Sequence, residues 1–135
     1  MSVEFSIPVR VYIEDTDAGG IVYYVNYFKY FERARTEFMR ALGFDKGAFF
    51  GDELMFVVTS VETKFHCSAR LDDEVSVTAQ VVDVGAATMR FEQQVLRSGE
   101  LLSSAFIEVA AVRRLSGRPR RLPVVLRTAL LAAQI

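Results

Sequence analysis

Apolar and polar residues alternate loosely from residue 3 to residue 12, with Val3, Phe5, Ile7, Val9 and Val11 on one side. A period of two predicts a strand with one buried face. Pro8 lies inside it and has no N–H to give a neighbouring strand, which predicts an edge position or an irregularity. After a polar turn from Asp15 to Gly20 and a short apolar run, IVYYV, the period becomes helical at Tyr27. At about 100° per residue, Tyr27, Phe28, Tyr30, Phe31, Ala34, Phe38, Met39, Ala41 and Leu42 fall in one half of the wheel. Lys29, Glu32, Arg33, Thr36, Glu37 and Arg40 fill the other, and Gly43 supplies the stop. So wide an apolar face predicts a helix embraced by a curved surface. Arg35 intrudes on that face, where it either pairs with Glu32 at (i, i+3) or extends to the rim.

From Leu54 the period of two returns. Val57, Thr59, Val61, Thr63, Phe65 and Cys67 alternate with polar positions, which predicts a buried thiol at Cys67 and a solvated or interfacial His66. A second strand carries Val75, Val77, Ala79 and Val81 on one face. Gly85 marks a turn, a third strand runs from about Ala87 to Leu96, and Ser98-Gly99 makes a hairpin to a final strand through Val112. VVLRTALLAAQI at the end reads as a short helix. Closely spaced strands joined by short turns form an antiparallel sheet, so the expected class is α+β, one long helix against one large sheet.

The 135 residues fit one domain, 1–135, with enough chain to bury a core without metals or disulfides. The apolar runs are too short to span a bilayer. MSVEFSIPVR has neither a basic start nor an apolar stretch of leader type, and a single cysteine suits a reducing, cytoplasmic compartment. The net charge of −1 hides an asymmetry: residues 113–135 hold six arginines and no acid, whereas the remainder holds 10 basic and 17 acidic residues. Those arginines suit the phosphates of a nucleotide-bearing ligand, an acidic carrier protein, or the acidic body of the fold or its oligomer. A pI near 5.9 argues against nucleic acid.

Asp17 stands before Gly19-Gly20 and close to a helix start, where unpaired N–H groups attract negative charge. Its carboxylate suits a nucleophile or general base aimed at an electrophile over the helix start, and equally an N-cap or Asx turn. The residues alone leave both open. Tyr23, Tyr24, Tyr27, Tyr30 and Phe31 are candidates for an acyl pocket or for plain core. No His/Cys cluster has metal-ligand spacing, and there is no phosphate loop or dinucleotide fingerprint.

The stretch YIEDTDAGGIVYYVNYFKYFERARTE, with Phe65 to Asp73 as F-x-x-x-A-R-L-D-D, resembles the hotdog-fold acyl-CoA thioesterases of the 4-hydroxybenzoyl-CoA thioesterase family. It is most similar to the branch associated with the Tol–Pal cell-envelope system. The resemblance implies a long central helix wrapped by a five-stranded antiparallel sheet and hydrolysis of acyl-CoA to a carboxylic acid and free coenzyme A, without a cofactor or metal. It assigns catalysis to the Asp17 carboxylate and the Tyr24 backbone N–H, a fixed donor worth roughly 3–4 kcal/mol in comparable sites. Gly20, Asn26 and Tyr27 fall at matching substrate-binding or positioning places, and sites shared between protomers imply a homodimer or homotetramer. This chain has Tyr24 where many of the branch carry His, and Ile13 where they carry Tyr. The basic cluster that some relatives use for coenzyme A phosphates is reduced to Arg90; on charge alone, the role either moves to Arg118, Arg120 or Arg121 or phosphate binding is weak. An acyl-carrier-protein binding or scaffold module with weak hydrolysis is the alternative. A hotdog dehydratase is disfavoured because the one histidine, His66, lies far downstream.

Overall fold

A computed structural model describes residues 4–44 and 53–135. In chain order it comprises β1 (Ser6–Arg10), a one-turn 3₁₀ helix (Ile13–Asp15), α1 (Tyr24–Ala41), β2 (Leu54–Phe65), β3 (Glu74–Thr78), β4 (Gln80–Val84), β5 (Thr88–Arg97) and β6 (Glu100–Arg113). The C-terminal helix α2 spans Val124–Ala133. One antiparallel sheet runs β1-β3-β5-β6-β2, with β4 also on β5.

β1 forms the edge that Pro8 requires, but it begins at Ser6; Val3 lies outside the described residues. The second predicted strand is interrupted. β3 and β4 hold one register on β5, Val77 opposite Val95 and Gln80 opposite Glu92, with a break at Ala79. At the break the Ala79 N–H donates to the Phe5 carbonyl at 3.0 Å, and the Thr78 carbonyl accepts from Gln93 Nε2 at 3.0 Å. The five predicted strand paths are therefore present, one of them in two pieces.

α1 crosses one face of this sheet and buries Tyr27, Tyr30, Phe31, Ala34 and Phe38 against Val77, Phe91, Val95, Ile107 and their neighbours. The fully buried stripe is narrower than the half-wheel. Phe28, Met39 and Leu42 are half-buried and Ala41 is exposed. Arg35 neither pairs with Glu32 nor extends to the rim, the two places open to it; its Nη1 donates to Gln93 Oε1 at 2.9 Å. Gln93 is fully buried and also donates to the Phe31 carbonyl, so one side chain ties the helix to the interrupted strand. Burial lowers the Arg35 pKa while the Glu32 charge opposes that shift. The helix ends as predicted: Gly43 takes φ +95°, and the Phe44 N–H reaches back to the Met39 carbonyl at 2.9 Å.

β2 is the opposite edge and departs furthest from expectation. A bulge between Val58 and Ser60 inserts Thr59 into the register against β6. One extra residue swaps the faces of everything after it, so Val57 and Cys67 do not share a buried face. Val58, Val61 and Phe65 are exposed, as is the Cys67 thiol just beyond the strand.

Candidate active site

The chain leaves β1 at Val11 and turns through Ile13–Asp15 into a small hairpin, with Thr16 bridged to Val22. Inside it the Asp17 N–H donates to the Ile21 carbonyl at 2.9 Å and the Gly20 N–H to the Asp17 carbonyl at 3.1 Å. Gly20 closes the turn at φ +78°, a left-handed conformation that suits glycine. Asp17 Oδ1 accepts the Gly19 N–H at 2.8 Å, an Asx turn, which is the local role open to an Asp before two glycines. A Cβ on residue 19 would lie 3.3 Å from that oxygen, so glycine is what lets the carboxylate lie so close. Among the described residues Oδ2 has no donor, and Asp17 is exposed. Turn former and reactive carboxylate are thus compatible roles, one oxygen for each.

α1 begins at Tyr24, three residues before the predicted start, because the Tyr23 N–H is held by the Asp15 carbonyl at 2.9 Å and Tyr23 becomes the N-cap. Tyr24 is the first helical residue, and its N–H finds no acceptor among the described residues.

A second loop forms the facing wall. Val22 donates to the Ala69 carbonyl at 2.8 Å and Leu71 to the Gly20 carbonyl at 3.3 Å, while the Tyr27 hydroxyl accepts the Ala69 N–H at 2.9 Å. Arg97 clamps this loop, donating through Nη1 to Asp73 Oδ2 at 2.8 Å and to the Ser68 carbonyl at 3.2 Å, and through Nη2 to Glu100 at 2.7 Å. Burial opposes ionisation of Asp73, but the Arg97 bond and the Arg70 N–H outweigh it and hold the carboxyl below its ordinary range. Burial raises the Tyr27 pKa against the opposing Ala69 N–H, so the phenol stays protonated at neutral pH.

Between the two walls lies a cavity of about 330 Å³ lined by Asp17, Ile21, Val22, Tyr23, Tyr24, Tyr27, Phe65, His66, Cys67 and Ser68. Tyr24 and Tyr27 pack on Phe65 at centroid distances of 6.0 and 5.5 Å. The aromatic candidates therefore divide: Tyr23, Tyr24 and Tyr27 face the cavity, whereas Tyr30 and Phe31 are wholly core. His66, remote in sequence, sits in the same cavity as Asp17, its Nε2 3.1 Å from Ser104 Oγ. Distance along the chain was therefore no guide to its place.

Asn26 is buried behind the cavity and donates from Nδ2 to Asp15 Oδ1 at 2.9 Å. Asp15 is itself buried and also accepts the Tyr12 N–H, through Oδ2, at 2.9 Å. Nothing in the hydrophobic pattern marked this carboxylate apart from Glu14 beside it, which is exposed.

The predicted phosphate-binding arginines lie elsewhere. Arg90 faces away from α1, 3.8 Å from Glu62 and over the Phe106 ring at 5.0 Å. Arg118 and Arg120 are fastened by their backbones to Arg113 and Ala111, where β6 ends beside the start of β5. Phe65 and Ser103 mark the Asp17 end of the sheet and Leu54 and Arg113 the other, a separation on the order of 30 Å at about 3.3 Å per residue. Arg121 and Arg127 line a second cavity of about 380 Å³ at the start of α2, with Ala86, Leu122, Val124 and Thr128. Among the described residues none of the six C-terminal arginines has a carboxylate within ion-pair distance. No group of three or more His, Cys, Asp or Glu is arranged to hold a metal among those residues, and no helix is long and apolar enough to cross a membrane.

The model of the thioesterase-like superfamily matches residues 11–130. An acyl-CoA thioesterase of Haemophilus influenzae, YbgC, is 46% identical over 109 residues, 80% of either chain. The acyl-CoA thioester hydrolase YbgC of Escherichia coli O157:H7 is 38% identical over 120 residues, covering 88% of this chain and 90% of its own. A solved probable thioesterase of Bartonella henselae superposes with a TM-score of 0.84 at 34% identity, over 90% of this chain and 100% of that one. A 1,4-dihydroxy-2-naphthoyl-CoA thioesterase of Synechocystis superposes at 0.87 over 96% of both chains; at 17% identity this is likeness of fold alone.

Proposed function

The chain belongs to the thioesterase-like superfamily and has its hotdog fold, and on that footing we propose that it hydrolyses acyl-CoA thioesters to a carboxylic acid and free coenzyme A. The observation that carries the reading is a single cavity lined by the Asp17 carboxylate and by the first residue of α1. A thioester carbonyl seated over the helix start has the Tyr24 N–H for its oxygen, which becomes an anion as the carbon turns tetrahedral. Asp17 Oδ2 then either attacks the carbonyl carbon, expelling the thiolate and leaving an anhydride for water to open, or takes a proton from the attacking water. Both routes consume one water and release one acid and one thiol. The Gly19 N–H on Oδ1 orients the carboxylate in either case.

The working form in this reading is a homodimer or a homotetramer built as a dimer of dimers, joined along β2. An edge strand with Val58, Val61 and Phe65 exposed supports it, since such an edge invites another strand. In a two-fold antiparallel pairing the arginine end of one copy meets the Asp17 end of the other, which would bring Arg118 and Arg120 to the coenzyme A phosphates across the interface. Arg90 is less favoured for that role, being engaged by Glu62 and Phe106. An exposed free thiol at Cys67 suits a reducing, cytoplasmic setting.

A second reading, recognition of an acyl carrier protein, draws on the C-terminal arginines, which have no ion pair among the described residues and suit an acidic partner as well as they suit phosphates. A thiol-release assay over a panel of acyl-CoAs and the matching acyl carrier protein thioesters decides between them. Turnover of the coenzyme A esters is expected; silence on all of them with tight carrier binding would favour the second reading. His66 in the cavity calls for one control, 3-hydroxyacyl-CoA, on which hydrolysis and no alkene formation is expected.

A further inference from the structure

Asp15 is a buried carboxylate that the reaction above leaves unused, and the geometry points to it as a positioning residue that holds Asp17 and the Tyr24 N–H in one fixed relation. Its Oδ2 accepts the Tyr12 N–H and its Oδ1 the Asn26 side-chain amide, both at 2.9 Å, while its carbonyl accepts the Tyr23 N–H at 2.9 Å. Asp17 follows two residues later. On the helix side, the two residues bonded to Asp15, Tyr23 and Asn26, flank Tyr24, and the Asn26 N–H returns to the Tyr23 carbonyl at 2.8 Å. The loop bearing the carboxylate and the turn bearing the N–H are therefore fastened at one residue, through the Asp15 side chain to Tyr12 and Asn26 and through its carbonyl to Tyr23. At 5% exposure for Asp15 and 8% for Asn26, solvent does not substitute for either partner.

Two donors converge on two oxygens, and Asp15 has no cation beside it among the described residues. The enclosed Tyr30 hydroxyl meets no acceptor in strict hydrogen-bond geometry, yet it lies beside Asp15: burial first, and then the Asp15 carboxylate, raise its pKa. An amide in place of the carboxylate has one oxygen, so its NH₂ meets the Tyr12 N–H or the Asn26 NH₂, donor against donor, unless Asn26 gives up its present orientation and turns its own amide over.

This inference rests on the Asp17 and Tyr24 reading for its kinetic arm and not for its structural one. The test compares Asp15→Asn with the exchanged pair Asp15→Asn/Asn26→Asp, which restores one donor for each acceptor and keeps a carboxylate in the cluster. Two quantities are read: the kcat and KM for an acyl-CoA ester, and the hydrogen-exchange rate of the Tyr23 amide. Asp15→Asn is expected to lower kcat about 10- to 100-fold with KM within about threefold of wild type, as a displaced reacting group does. Tyr23 exchange should rise in parallel, and the exchanged pair should recover both quantities. A folded Asp15→Asn with wild-type kcat and exchange would overturn the proposal, as would a folded exchanged pair no better than the single variant. Should Asp15→Asn fail to fold, the exchanged pair decides alone by its kcat. If that also fails, Asn26→Ala decides, which keeps Asp15 and its Tyr12 bond: reduced kcat at unchanged KM supports the proposal, and wild-type kcat overturns it. If the wild-type chain hydrolyses no acyl-CoA, the functional reading fails while the exchange measurement still tests Asp15.

Discussion

Tyr27 packs in the core, lines the cavity and accepts the N–H of fully buried Ala69 through its hydroxyl. Tyr27→Phe keeps the ring and strands that N–H, an arrangement that costs about 1–3 kcal/mol. A fall in unfolding free energy of that size is expected in denaturant titration, with an unchanged slope; an unchanged midpoint would show that the bond contributes nothing. Asp17 and Asp15 illustrate what single residues reveal in a sequence. Asp17 before two glycines signals a turn or a reactive carboxylate, and the geometry supports both at once, Oδ1 on the Gly19 N–H and Oδ2 without a donor among the described residues. Asp15, Glu14 and Asp17 look alike as letters, because burial of a carboxylate depends on donors, here Asn26 and Tyr12, that only the fold assembles.

Elements were legible where periodicity and punctuation agree. α1 ends at Gly43 as read, and β1 lies at the edge as Pro8 demands. The start of α1 was hidden because Tyr23 and Tyr24 are exposed and add nothing to the apolar period; the bond from Tyr23 to the Asp15 carbonyl sets it. The apolar face of β2 was misread for the reason that one bulged residue inverts the alternation, which carried Val61, Phe65 and Cys67 out of the core; His66 is exposed as read, and it lines the cavity beside Cys67. The loop after β2 depends on the Arg97 clamp. Asp73 is held below its ordinary pKa, so the folded state favours its ionised form. That contribution is complete above the unfolded value of about 3.9 and fades as pH falls through the lower folded value. Asp73→Asn is expected to cost about 1 kcal/mol near neutrality, the scale of a partly exposed charged bond. The gap from wild type should narrow as pH falls below about 3.9 and through the lower folded value; a gap that widens in acid would contradict the clamp.

At the scale of the whole molecule, the fold has one edge guarded by Pro8 and a short strand, and another, β2, left long and apolar. On the proposed pairing, Val61→Lys at the exposed centre of β2 is expected to leave a folded monomer in sedimentation and to depress turnover, because the arginine end of a second copy would no longer reach the cavity. A variant that stays dimeric would move the interface elsewhere. The six arginines were visible in composition; their place, an estimated 30 Å from Asp17 within one chain, follows only from the register of β2 on β6. The most direct measurement of the central claim is thiol release from an acyl-CoA ester by Asp17→Asn beside wild type, each matched for fold by circular dichroism. If Asp17 is the reacting carboxylate, as proposed, its removal lowers kcat by about 10²–10⁴-fold with the oligomeric state unchanged; turnover within about threefold of wild type would contradict it.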